Sequence, residues 1–189
     1  MKKIIYLFLI YILVSCDLLT TRNPEPPNTI AKNNIPATNP DSLFKNFKSS
    51  IEDKILENYV SCFVDTAFLK KKFRFFPSAG SASQYQVLNG WNIESEKQYF
   101  QNQIINVLSG TSITLILSNQ QNTQIADSAD YQFNYNLSIT SNDQKINGTY
   151  TGTAEFKVMK DSRNQWVIVD WTDLGPGNPY SWSDLKGRL

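Results

Sequence analysis

The chain has 189 residues, with 18 Lys plus Arg against 17 Asp plus Glu, a formal charge of +1 and no histidine. A near-neutral surface excludes an electrostatic nucleic-acid binder, and the missing histidine removes Ser-His-Asp and Cys-His catalysis together with the commonest zinc ligand. With two cysteines and no acidic spacing that suggests a carboxylate site, no metal or other cofactor is expected.

At the N-terminus, Lys2 and Lys3 precede eleven uncharged residues, Ile4 to Val14, which is the layout of a bacterial export signal. The run is too short to span a bilayer, which takes about 20 apolar residues. It ends at Leu13-Val14-Ser15-Cys16, which resembles the lipobox of bacterial lipoproteins, where a small residue precedes a cysteine that is acylated and becomes the new N-terminus. The resemblance implies a signal peptide over 1–15, a lipid on Cys16, and a mature protein held at a membrane of the cell envelope without spanning it. Inner and outer membrane both stay open. Several acyl chains on one residue hold a protein where a single chain is marginal. Loss of Lys2 and Lys3 leaves 16 basic against 17 acidic side chains, a charge of −1. Residues 16–40 then carry five of the eight prolines (Pro24, Pro26, Pro27, Pro36 and Pro40) and read as a tether. Extended at about 3.1 Å per residue, it reaches roughly 70 Å.

Residues 41–189 suffice for one domain. Asp41 is the candidate N-cap of the first helix. Leu43, Phe44, Phe47, Ile51, Ile55, Tyr59, Cys62 and Phe63 follow at steps of three and four, as one long helix or two short ones broken near Glu52-Asp53-Lys54. Cys62, flanked by aromatics, reads as a buried structural thiol. Phe73 to Phe76 is a short strand ended by Pro77, and "SAGSAS" reads as a loop. Glu94 to Leu108 is a second helix, with Tyr99, Phe100, Ile104, Ile105 and Leu108 on one side and Gly110 as its stop.

The remainder is strand. Ser112 to Leu117 is β-branched and apolar. Tyr131 to Ile139 alternates apolar and polar, and Ile146 to Val158 repeats the pattern with Gly148 and Gly152 interrupting its apolar face, which marks a bulge or sharp curvature, or room for a neighbour or a ligand. Gln165 to Trp171 is the last strand. It precedes the aromatic tail "TDLGPGNPYSWSDLKGRL", which is expected to pack back on the sheet or else to present an aromatic surface to a partner or glycan. Helices first and antiparallel strands afterwards give an α+β fold with helices on one face of a curved sheet.

A helix pair ending in "LENYVSCFVD", then "FRFFPS", a further helix, and long strands closing on "QWVIVDWTD" resemble the nuclear transport factor 2-like superfamily, which includes ketosteroid isomerase and the SnoaL-like cyclases. The resemblance implies a cone-shaped α+β fold over 41–189 with a pocket between sheet and helices. In that pocket Tyr99, Tyr135, Tyr150 and Trp166 would line the wall, and Gly148 and Gly152 would leave space for a ligand. The alternative is that the aromatics simply fill the cone. Enzymes of the superfamily need an internal acid-base group. Asp170 is the candidate if Trp166, Ile168 and Asp170 face inward; if Val167, Val169 and Trp171 do, Asp170 is a solvated strand-end carboxylate.

Lys70-Lys71-Lys72-Phe73-Arg74 could meet phosphate or an acidic partner, or be a solvated turn. Asn136 and Asn147 begin N-glycosylation patterns that a bacterial lipoprotein seldom uses. The expected role is a non-enzymatic binding or interaction module, taking a small apolar ligand or an envelope protein. An isomerase- or cyclase-like enzyme and a structural envelope component are the alternatives.

Overall fold

The structure is a computed structural model, which describes residues 34–175 and 180–189. The expected signal peptide, Cys16 and most of the expected tether lie outside the described residues.

Helix α1 (Pro40–Glu52) is capped two residues earlier than the sequence suggested. The side chain of Asn39, not Asp41, accepts the Ser42 N–H at 2.8 Å, and Pro40 sits at the first helical position, where its missing N–H costs nothing. Leu43, Phe44, Phe47 and Ile51 form the buried stripe. The helical run breaks where the charged triplet stands: Lys54 takes φ +59°, and α2 (Leu56–Ser61) starts afresh. The chain before α1 is part of the domain, although it reads as tether. Ala37 is buried and its carbonyl accepts the Trp166 N–H at 2.8 Å, while Asn46 holds the backbone of Ile35 on both sides.

Strand β1 (Arg74–Phe76) is followed by a helix where a loop was expected, α3 (Ala79–Gln84). Its small residues carry no apolar period. A 3-10 turn (Gln86–Leu88) leads to α4 (Ile93–Asn106), capped by Asn92. Glu96, Tyr99, Phe100 and Gln103 face inward from α4, whereas Ile105, expected on the buried side, is exposed. Four strands then follow: β2 (Thr114–Ile125), β3 (Ser128–Ile139), β4 (Gly148–Lys160) and β5 (Trp166–Leu174), with a C-terminal helix α5 (Trp182–Arg188). β2 runs eight residues beyond Leu117 through a polar, mostly exposed stretch.

The sheet order is β1-β5-β4-β3-β2, antiparallel except that β1 lies parallel to β5. Tyr131, Phe133, Tyr135, Leu137 and Ile139 all face the core, as their alternation predicts.

β5 carries the feature that decides the interior. Lys157 pairs with Asp170, yet the next residue of β4, Val158, pairs with Ile168, so Val169 is an extra residue. A bulge of this kind shifts the face of every residue beyond it. Trp166 and Ile168 share the core side before the bulge, and Trp171 and Asp173 share it afterwards. Each of the two candidate registers holds for half of the strand.

Gly152 does leave space, but for a neighbouring side chain. It pairs with Tyr135 across the ladder, and a Cβ built there would lie 2.6 Å from the Tyr135 hydroxyl and 2.9 Å from Cζ. Gly152→Ala therefore displaces Tyr135 and is expected to lower the unfolding free energy by about 1–3 kcal/mol, the range for overpacking a filled core. Urea denaturation of the variant measures it. A loss below about 0.5 kcal/mol, the level of an indifferent surface change, would mean that the ring moves aside freely.

Candidate functional site in the closed interior

α5 returns across the concave side of the sheet and seats its side chains in the interior. Ser181 and Asp184 close a capping box at its start. Three elements hold it from outside that box. Tyr135 Oη accepts the Trp182 N–H at 2.8 Å and donates to Asp173 Oδ1 at 2.8 Å. Asp173 Oδ2 accepts both the N–H and the hydroxyl of Ser183, at 2.7 and 2.5 Å. Ser81 of α3 donates to Asp184 at 2.8 Å, and Gly187 lies so close to Tyr85 that a Cβ would sit 2.3 Å from its ring. The small-residue helix α3 is the surface on which α5 rests.

Trp182 and Lys186 are the inward side chains, both 1% exposed. Trp182 Nε1 donates to Tyr99 Oη at 3.0 Å, and its ring meets Trp171 edge-on with centroids 4.6 Å apart. One helical turn later, Lys186 Nζ pairs with the buried carboxylate of Glu96. Glu96 also accepts from Tyr59 Oη at 2.5 Å and from Trp91 Nε1 at 2.7 Å. Every donor around that carboxylate is therefore matched.

The electrostatics follow from burial. Desolvation pushes the Lys186 ammonium down to about 8 against the pull of Glu96 and Asp173. It raises Asp173 above the usual carboxylate range, against its hydrogen bonds from Ser183 and Tyr135. Burial likewise raises Tyr59, Tyr99 and Tyr135, and pushes the Cys62 thiol up to about 12, as expected of a structural cysteine.

These shifts set a pH profile. Because the folded-state value of Lys186 lies below its free value of 10.5, the unfolded chain holds more protons between about pH 8 and 10.5, and stability rises there with pH. The slope for one proton is at most about 1.4 kcal/mol per pH unit. Cys62 acts in the opposite sense from pH 9, its free value, and the tyrosines from pH 10. The unfolding free energy is expected to climb from pH 8 to 9 and to fall beyond pH 10, with the climb missing in Lys186→Met. A wild-type curve that falls between pH 8 and 9 contradicts the assignment.

The six wall candidates do not share one pocket. Tyr99 and Tyr135 belong to the α5 network; Tyr150 is fully buried and donates to the Ile146 carbonyl at 2.9 Å. Gly148 opens β4 at φ +151° with nothing near its missing Cβ. Trp166 pairs with Lys160, eight residues along β4 from the Gly152 partner of Tyr135, a separation of about 26 Å at 3.3 Å per residue.

Asp170, the acid-base candidate, lies on the opposite face from Trp171. Its two oxygens each accept from Arg74, at 2.9 Å, in a bidentate pair at the outer surface. The inward reading of Asp170 is corrected by the bulge at Val169: Glu96 and Asp173 are the carboxylates that face Lys186 and α5 from the domain's interior. Arg74 from the basic run finds its partner here; Lys70 and Lys71 are exposed.

An open groove of about 960 Å³ lies elsewhere, where residues 34–37 meet α1, α2 and the start of α4. Ile35, Leu56, Val60 and Phe63 supply its apolar lining, and Glu57, Glu94, Lys97 and Arg163 its charged groups. Among the described residues no three His, Cys, Asp or Glu side chains group as a metal site, and no helix is long and apolar enough to cross a membrane.

No protein-family profile matches the sequence, and no curated protein matches it significantly. Solved structures match its fold. A provisionally assigned dehydratase of the NTF2-like family from Streptomyces avermitilis superposes with TM-score 0.56 at 11% identity, over 79% of this chain and 98% of that one. The fold is that of the nuclear transport factor 2-like proteins. An NTF2-like protein of unknown function from Pseudomonas putida matches at TM-score 0.54 and 10% identity, over 74% of this chain and 86% of the other. A provisionally assigned scytalone dehydratase from Novosphingobium aromaticivorans matches at 0.52 and 10%, over 70% and 78%. At such identities the likeness is one of fold. On this NTF2-like frame, the sheet's concave side is occupied by the chain's own C-terminal helix.

Proposed function

We propose that this protein is an acylated lipoprotein of the bacterial cell envelope whose NTF2-like domain acts by binding a polypeptide partner and not by catalysis. The observation that carries the reading is the occupied interior: Trp182 and Lys186 fill the space beside Tyr99 and Tyr135, and Glu96 and Asp173 are both buried and fully bonded. A general acid or base must reach a substrate proton, and Asp170, outside, is held by Arg74.

While α5 fills the interior, partner binding falls to the outer surface, where a groove of about 960 Å³ lies at residues 34–37, beside the expected tether. Its apolar floor with charges of both signs suits a polypeptide better than an enclosed apolar molecule. A photo-crosslinking residue at Val60 in the full chain, compared with one at Ile125 on the far sheet edge, tests this in cells. The reading expects a discrete adduct at Val60, absent at 125 and abolished by Leu56→Glu. Equal labelling at both sites refutes it. Cys16→Ala should release the protein from the membrane fraction; retention refutes the acyl anchor.

A further inference from the structure

Lys186 is held in a way that ion pairing alone does not explain. Four aromatic rings surround its ammonium: the centroids of Trp171 and Phe75 lie 3.9 and 4.0 Å from Nζ, and those of Tyr99 and Trp91 at 5.1 and 5.3 Å. All fall within the roughly 6 Å over which a cation is attracted to a ring face. Glu96 completes the enclosure with a carboxylate that Tyr59 and Trp91 keep in place. The walls come from β1, β5, α4 and the segment before α4, so they are built by the domain; the cation comes from α5, a seven-residue helix.

One consideration points past a packing role: a buried ion pair is seldom the most stable filling of a core, since apolar residues of similar volume serve as well or better.

We propose that the interior of this NTF2-like domain is a recognition site for primary alkylammonium groups, an aromatic cage floored by Glu96, in which Lys186 of α5 is the resident intramolecular ligand. The cation can belong to a free alkylamine or to a lysine side chain of another polypeptide, and either enters when α5 withdraws. This inference is independent of the outer groove.

The test uses the full chain with Lys186→Ala, which removes a propylammonium-sized piece and leaves the cage. Propylammonium chloride is compared with 1-propanol, which has similar shape and no charge, and with a short peptide carrying one lysine or its norleucine counterpart. Millimolar propylammonium is expected to raise the thermal midpoint of the variant by several degrees and to change its tryptophan fluorescence, because Trp91 and Trp171 are walls. 1-Propanol should do neither, and the wild type, already filled, should not respond. Stabilisation by the lysine peptide alone assigns the polypeptide source; by propylammonium alone, the free amine. If the variant folds only with propylammonium present, the proposal is supported. No response to either amine, or an equal response to 1-propanol, overturns it. NMR of the wild type supplies a check that needs no variant: the Lys186 ε-methylene protons should be shifted strongly upfield by the surrounding rings, and ordinary solvent-exposed lysine shifts would overturn the cage.

Discussion

Replacing Glu96 with Ala is expected to lower the unfolding free energy by about 3–5 kcal/mol, the range for removing one partner of a buried pair. The loss comes from what remains. Lys186 keeps its charge with no exposed side-chain surface, and the Tyr59 hydroxyl and Trp91 indole lose their common acceptor. In urea the midpoint should fall with the slope unchanged, since the folded state keeps its surface. The double variant Glu96→Ala with Lys186→Met separates the causes. With the ammonium gone, no charge is stranded, and the double variant should recover much of the loss, giving a coupling energy of about 1–3 kcal/mol. A double variant as unstable as the two single changes added together would mean that lost packing, not the stranded charge, sets the effect.

That carboxylate shows where the sequence was readable and where it was not. The apolar stripe of α4 was visible in Tyr99 and Phe100, and Glu96 stands three and four positions before them, on the same face. A lone charge on an apolar stripe is a signal for a buried partner, but nothing local identifies that partner, which lies 90 residues on in α5. The strict alternation of β3 carried through because each residue meets a regular ladder. β5 did not, because one extra residue, Val169, turns Asp170 outward and Asp173 inward, and a bulge leaves no mark in composition. "SAGSAS" was opaque for another reason: α3 is short and apolar-poor, and exists because α5 supplies Asp184 and Ser183 to its serines and backbone. The break at Asp53-Lys54 was legible because three charged residues interrupt the stripe. The tail's return onto the sheet was legible from its aromatics; that it brings a lysine into their midst was not.

Trp182→Ala is the other large effect, expected to lower stability by about 3–5 kcal/mol, as for truncating a buried Trp elsewhere. Its ring contacts Trp171, Tyr135 and Phe47, with centroids 4.6, 5.1 and 6.1 Å away, and its indole N–H is taken by Tyr99. Trp182→Phe keeps most of that ring area and forfeits the hydrogen bond, so it should lose less, about 1–3 kcal/mol with the Tyr99 hydroxyl left short of a donor. How the loss is distributed matters as much as its size. A helix of seven residues has no stability of its own and exists through its tertiary contacts. In Trp182→Ala, α5 should open below the global unfolding energy, so that amides 183–188 exchange early while those of β3 and β4 remain protected. Such early exchange makes α5 a separable plug in an otherwise intact sheet, the condition under which an external ammonium could reach Glu96. If the α5 amides exchange only with global unfolding, the helix is an integral layer of the core, and Lys186 leaves its cage only when the whole domain unfolds.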